Sequence, residues 1–151
     1  MSNIFNKDFK EFLEALNLFA VEYMVVGGYA VILHGYTRTT GDLDVWINPT
    51  KANYQKLMQA FDHFGLPTVI TLGKFLDSEK YDVFTFGVPP VSLDIMTKVK
   101  GLSFEDCYLL AEDYSSSGIK IKLISQQDLI IAKQASGRHK DLNDIEHLKS
   151  E

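Results

Sequence analysis

The segment Gly41 to Ile47, GDLDVWI, constrains this chain most tightly. Polar and apolar residues alternate there, which is the pattern of a half-buried strand. On a strand, Asp42 and Asp44 point to one face with Cα atoms ~6.7 Å apart, while Leu43 and Val45 face the core. Two like charges on one face repel each other, and a bound cation is the commonest reason to keep them. The plainer alternative is that Asp42 caps a turn and Asp44 is an exposed strand residue. An isolated Asp-x-Asp favours that alternative, because the pattern is short.

Two further features shift the balance. In VSLDIMT, Asp94 sits between Leu93 and Ile95. A strand there puts Ser92, Asp94 and Met96 on one face and Val91, Leu93 and Ile95 on the other. If the two strands are neighbours, three carboxylates meet. Such an oxygen set suits Mg²⁺ or Mn²⁺, which keep open positions for substrate phosphates. Two such ions ~4 Å apart stabilise the attacking and leaving oxygens of a phosphoryl displacement. The other feature is Gly27-Gly28, which follows the apolar run Tyr23 to Val26 and precedes a short helix, Tyr29 to His34. Glycines at a strand-to-helix turn let backbone N–H groups approach a phosphate. They also occur there for turn geometry alone.

The remaining pattern is of one domain covering residues 1–151. Helices are expected over Lys7 to Ala20, from Thr50 to Phe64 with Gly65 as stop, and from Ser103 to about Glu112. Two short C-terminal helices follow Ser125 and Gly137, the second holding Leu142, Ile145 and Leu148. Strands are expected at Tyr23 to Val26, Asp42 to Ile47, Thr68 to Leu72, Tyr81 to Phe86, Val91 to Thr97 and Ile119 to Ile124. Turns are read at Gly87-Val88-Pro89-Pro90 and Ser115-Ser116-Ser117-Gly118. This order gives an α+β fold, a mixed sheet flanked by helices.

No apolar run is long enough to cross a membrane, and the N-terminus lacks a signal-peptide core, so a cytoplasmic protein is the simplest account. The net charge of −5 argues against strong nonspecific nucleic-acid binding. Between Lys120 and Lys140, however, five cations face only Asp128, which suggests a local basic surface. The single cysteine, Cys107, reads as a packed side chain.

Taken together, MVVGG, GDLDVWI and SLDIM resemble the nucleotidyltransferase superfamily, the fold of DNA polymerase beta. The string GGYAVILHGYTRTTGDLDVWI and the C-terminal KQASGRHKDLNDIEHL look like its small bacterial branch, which includes AbiEii-type toxins of toxin–antitoxin systems. The resemblance implies an enzyme moving a nucleoside monophosphate from an NTP to an acceptor hydroxyl. It makes Asp42, Asp44 and Asp94 the catalytic metal ligands, with Mg²⁺ or Mn²⁺ as cofactor. It makes Asp94 the candidate general base and Gly27 and Gly28 the holders of the triphosphate. The acceptor is left open among an RNA end, a protein and a small molecule, and a cognate partner protein is implied. A noncatalytic, antitoxin-like binding module is an alternative, as is an antibiotic nucleotidyltransferase. The chain has no room for the helical acceptor domain of larger relatives, which ranks a small-molecule acceptor below a macromolecule. A homodimer would supply the missing pocket.

Individual residues carry two readings each. Arg38 either contacts phosphate or bridges to an aspartate. Lys133 either reaches the triphosphate or is a solvated helix residue. Asp141 and Asp144 share a helix face and can pair with Arg138 and Lys140. Thr39 and Thr40 read as loop caps, His34 as a hydrogen-bonded packing residue, and Tyr29 and Tyr36 as amphipathic packing. Phe61, Phe64, Phe75, Phe84 and Phe86 read as core.

Overall fold

The computed structural model describes residues 5–88, 91–116 and 118–149. Helix α1 (Lys7–Leu18) starts where Asn6 accepts a 2.8 Å hydrogen bond from the Phe9 amide. Phe9, Phe12, Leu13 and Leu16 form its buried face. Strand β1 (Tyr23–Val26) is buried along its whole length. Helix α2 (Gly27–Leu33) begins at the first glycine, so the two glycines form its opening turn. Strand β2 (Leu43–Ile47) leads to α3 (Lys51–Phe64), which Thr50 caps and the left-handed Gly65 ends. There follow α4 (Leu72–Leu76), β3 (Val83–Val88), β4 (Val91–Met96), α5 (Phe104–Leu110), β5 (Glu112–Ser116), β6 (Ile119–Leu123), α6 (Gln126–Ser136) and α7 (His139–Lys149).

The strands form one mixed sheet in the order β3-β4-β2-β1-β6-β5. Its inner pairs β2–β4 and β1–β6 are parallel, and β1–β2, β3–β4 and β5–β6 are antiparallel. This is the α+β arrangement expected from the pattern. Helices cover both faces, because Leu43, Val45, Trp46 and Ile47 are all buried despite pointing alternately to opposite sides. On one side Phe61 of α3 meets Phe12 of α1 and Phe86 of β3, at centroid distances of 6.0 and 5.4 Å. On the other, Phe104 of α5 sits edge-on to Trp46 at 5.3 Å.

Four expectations need correction. Thr68 to Leu72 is no strand, because it finds no partner in the sheet. Thr71 instead accepts from the Lys74 amide at 3.3 Å and starts α4. Helix α5 stops at Leu110, and Glu112–Ser116 pairs with β6 as an edge strand. Its sequence, EDYSS, is polar because one side of an edge strand is wet, and that polarity reads as helix end and turn. Asp42 precedes β2 rather than opening it. On α7, Ile145 and Leu148 are buried but Leu142 is exposed. Pro89, Pro90 and Ser117 of the two expected turns lie outside the described residues.

One buried polar side chain of α3 ties two connections together. The Asn53 carboxamide oxygen accepts from the Glu22 amide at 2.8 Å. Its nitrogen donates to the carbonyls of Glu22 at 3.0 Å and Asn48 at 2.9 Å. These bonds pin the entry to β1 and the exit of β2 against α3, which keeps the two central strands in register. Replacing it leaves the Glu22 amide without its acceptor, at ~1–3 kcal/mol, and removes two further bonds to carbonyls that each keep one backbone donor, Asn48 and Thr50. Asn53→Ala is expected to lower unfolding stability in urea by about 2–4 kcal/mol, while leaving ligand binding at the folded site unchanged.

Candidate active site

The register of the central strands sets the site. In the parallel β2–β4 pair Asp44 lies directly opposite Asp94, and in the antiparallel β1–β2 pair Asp44 lies opposite Val26, the residue before Gly27. The neighbourhood that Asp94 requires is therefore present, and the two carboxylates are close enough for Asp94 to perturb Asp44. Burial, then the Asp94 partner and the charge of Asp42, push the Asp44 carboxyl up to about 7, against a smaller opposing pull from Lys133. The Asp42 carboxylate is oriented by Ser92, whose hydroxyl donates to Oδ1 at 2.8 Å and whose amide donates to the same atom at 3.3 Å. Thr85 of β3 donates its hydroxyl to Asp94 Oδ1 at 2.7 Å. Thr85 carries no motif and is placed only by the β3–β4 register, in which it faces Asp94.

Gly27 has φ +67°, and a Cβ there would collide with the Asp44 carboxylate, its Cγ lying 2.9 Å away. A Cβ on Gly28 would lie 2.8 Å from Thr40 Oγ1 and 3.4 Å from an Arg38 guanidinium nitrogen. Both glycines are required by close approach, and what approaches is the candidate site itself. Thr40 is thus a neighbour of the glycine turn as well as a loop residue.

Arg38 and Lys133 do not stand as bare cations. Arg38 Nη1 lies 2.7 Å from Asp144 Oδ2. Lys133 is 6 % exposed and its ammonium lies 3.2 Å from Asp141 and 3.1 Å from Asp144. It is therefore not a solvated helix residue. Arg138 pairs with Asp141, Nε to Oδ2 at 2.6 Å, as the i, i+3 spacing suggests. Asp144, however, takes Arg38 and Lys133 rather than Lys140. The expected basic surface between Lys120 and Lys140 is reduced in the same way, with Lys120 and Lys140 exposed and the other three cations held by carboxylates. Lys122 pairs with Asp113 on the far edge of the sheet, and Lys133 and Arg138 are held by Asp141.

Part of this set lines a cleft of about 260 Å³ between the sheet and α6, with Gly27, Asp44, Met96, Lys98, Lys133 and Arg138 in its wall, whereas Asp42, Asp94, Gly28 and Arg38 lie outside its lining. A groove of about 380 Å³ among Glu11, Ala15, Leu18 and His63 shares no residue with it and brings no comparable chemistry. The other singled-out residues pack as expected. His34 Nε2 hydrogen-bonds the Ile124 carbonyl at 2.7 Å. Tyr29 lies against Phe5 and Phe9, and Tyr36 stacks on His147 at 3.8 Å. Cys107 is buried, and burial beside Asp128 pushes its thiol up to about 12, out of reach of thiolate chemistry. Among the described residues no helix is long and apolar enough to cross a membrane.

Comparison with known proteins bears on the same arrangement. A family model described as a nucleotidyltransferase of unknown function, DUF6036, matches residues 6–149. No curated protein matches by sequence. Among solved structures, the lincosamide antibiotic adenylyltransferase LnuA, bound to lincomycin, superposes with a TM-score of 0.58 at 20% identity, covering 99% of each chain. The antibiotic-resistance factor ANT(2'')-Ia gives 0.64 at 13% identity, over 95% of this chain and 81% of that one. A Thermotoga maritima protein assigned as a nucleotidyltransferase gives 0.58 at 12% identity, over 94% and 90%. These likenesses show the fold, and the family model, spanning nearly the whole chain, shows that this protein belongs to the nucleotidyltransferase family DUF6036.

Proposed function

We propose that the protein transfers a nucleoside monophosphate from an NTP to a hydroxyl of a small acceptor molecule, with Asp42, Asp44 and Asp94 as its metal-binding and catalytic residues. The observation that carries this reading is the direct pairing of Asp44 with Asp94 beside Gly27. Asp44 pairs with Asp94, and the charge of Asp42 adds to the push that takes the Asp44 carboxyl to about 7. Among the described residues no three such side chains converge as a metal-holding group, so what supports Mg²⁺ or Mn²⁺ is the all-oxygen chemistry of these residues under like-charge stress. When bound, such ions supply charge neutralisation at the α-phosphate and the leaving pyrophosphate.

The chain's own residues then have separable tasks. Gly27 and Gly28 leave room for a phosphate at the opening turn of α2. Ser92 and Thr85 hold the outer two carboxylates in place, so that little reorganisation is needed during reaction. Lys133 and Arg138 face Asp44 across the cleft and counter the charge of the triphosphate. Asp94 takes the proton of the acceptor hydroxyl. The acceptor oxygen bonds to the α-phosphorus, the bond to the β-phosphate bridging oxygen breaks, and pyrophosphate leaves with the electron pair.

A small acceptor is favoured over an RNA end or a protein, in contrast to the ranking suggested by size. LnuA, an antibiotic adenylyltransferase, aligns over 99% of both chains, so a chain of this length suffices for a protein of that description. A role in a toxin–antitoxin system is the second reading, carried by the resemblance of the glycine-to-aspartate string and the C-terminal helices. Incubation with each labelled NTP, Mg²⁺ and panels of hydroxylated antibiotics, total RNA or cell extract tests both. Label on a small molecule supports the first reading, and label on RNA or protein replaces it with the second. Absence of any metal-dependent nucleotide binding sinks both.

Two variants read out the site. Because the Asp44 carboxyl sits above its ordinary 3.8 in the folded state, the stability it contributes is full below about pH 4 and lost as pH rises through about 7. The metal-free protein is thus expected to melt lower at pH 8 than at pH 5. Asp44→Asn should raise its melting temperature at pH 8 by roughly 5 °C, abolish the further rise on adding Mg²⁺, and cut transfer at least ~100-fold. Gly27→Ala places a methyl against Asp44 at a positive φ. It should cost about 1–2 kcal/mol of stability and remove most nucleotide affinity, measurable by calorimetry with Mg²⁺ and a nonhydrolysable NTP.

A further inference from the structure

The C-terminal helix contributes two carboxylates that no metal-site reading uses. Asp141 is fully buried and Asp144 is 2 % exposed. Asp141 accepts from Lys133 Nζ at 3.2 Å, Ser136 Oγ at 2.9 Å and the Arg138 amide at 3.2 Å. It also accepts from Arg138 Nε at 2.6 Å and Nη2 at 3.1 Å, a two-pronged grip on the guanidinium. Burial alone would raise its carboxyl, but these bonds from Arg138, Ser136 and Lys133 more than offset it and hold it well below the ordinary carboxylate range. Asp144 grips Lys133 at 3.1 Å and Arg38 at 2.7 Å. Three cations from three separate segments are therefore fixed by two residues of one helix. Gly27, Asp44, Lys133, Ser136, Arg138 and Asp141 all line the same cleft.

A purely structural ion cluster would be a poor use of these residues. Breaking water's hold on buried charges is costly, and hydrophobic residues of like volume serve stability as well or better. The arrangement also leaves Arg138 61% exposed although Asp141 grips it, so its outer face stays available to a ligand. A flexible lysine or arginine loses rotamer freedom when it meets an anion, and a cation already held on a carboxylate has lost it beforehand.

We propose that Asp141 and Asp144 are positioning residues that pre-set Lys133 and Arg138 on the wall of the Asp44 cleft and Arg38 beside the Gly28 turn, so that helix α7 determines how tightly the polyphosphate part of the substrate is received. This rests on the nucleotidyl-transfer reading for its substrate but not for its test. The probe is inorganic tripolyphosphate, titrated calorimetrically into wild type, Asp141→Asn, Asp144→Asn, Arg138→Ala and the Asp141→Asn/Arg138→Ala double variant. Asparagine is isosteric but removes one negative charge. If the aspartate only neutralised its cations, Asp141→Asn would bind the anion more tightly. If it positions them, the variant binds more weakly.

The expected result is a roughly ten-fold loss of tripolyphosphate affinity in Asp141→Asn and in Arg138→Ala, a smaller loss in Asp144→Asn, and little added loss in the double variant. Mn²⁺ affinity in the absence of anion should be unchanged in all four. Arg138→Ala alters a largely exposed side chain and so remains informative should Asp141→Asn fold poorly. Unchanged or tighter anion binding in Asp141→Asn, unchanged binding in Arg138→Ala, additive losses in the double variant, or no binding by wild type would each overturn the proposal. Wild type that binds tripolyphosphate as expected yet transfers no nucleotide would leave it standing and remove the transfer reading alone.

Discussion

The in-register pair Asp44–Asp94 at the centre of the sheet is the constraint on which the rest of this structure depends. Parallel neighbours β2 and β4 bring two carboxylates together where a protein built for stability alone would place two aliphatic side chains. Everything around the pair can be read as accommodation of that choice. The opposite face of β2 is buried and apolar, and the residue facing the pair across β1 is followed by a glycine. The destabilising charge is confined to one point, and hydroxyls from Ser92 and Thr85 satisfy the outer carboxylates on either side of it.

The second organising element is α7, and it acts at long range in sequence. Arg38 and Asp144 are 106 positions apart yet lie 2.7 Å from one another. That contact ties the loop before β2 to the last helix, and Lys133 joins the same cluster from α6. Helix α7 thus reaches the cleft wall through Asp141. It closes one side of the cleft and supplies fixed charge. Its own attachment is mostly polar, with Ile145 and Leu148 as its buried apolar contacts.

Much of this was legible in the sequence, and the parts that were not share a cause. Period-2 alternation put Asp42 and Asp44 on one strand segment and Asp94 on another, and cap residues such as Thr50 and Ser125 marked helix starts. Local pattern failed where polarity was set by position in the sheet. The edge strand Glu112–Ser116 looked like a turn because half of it meets water, and Thr68–Leu72 looked like a strand because its β-branched residues had no way to announce that no partner awaited them. Pair identities were also hidden. Spacing suggested that Asp144 meets Arg138 or Lys140, whereas it meets Arg38 and Lys133. Spacing reports neighbours on one helix, and ion pairs between elements follow from the tertiary arrangement alone. Thr85 is the extreme case, since nothing in FTFGV distinguishes a carboxylate-orienting threonine from any strand residue.

The fate of the cations bears on what the acceptor can be. A protein that tracks an RNA backbone needs lysines and arginines spread over an open surface, because its affinity comes from neutralising successive phosphates. Here the stretch that seemed basic distributes its charge otherwise. Lys133 is buried between two aspartates, Arg138 leans on one of them, and Lys122 is spent on Asp113 at the far edge. The cations nearest Asp44 are thus directed into a cleft of about 260 Å³ rather than across a surface. The net charge of −5 over the whole chain also works against long polyanions, which supports the compact polyphosphate and the small acceptor proposed above.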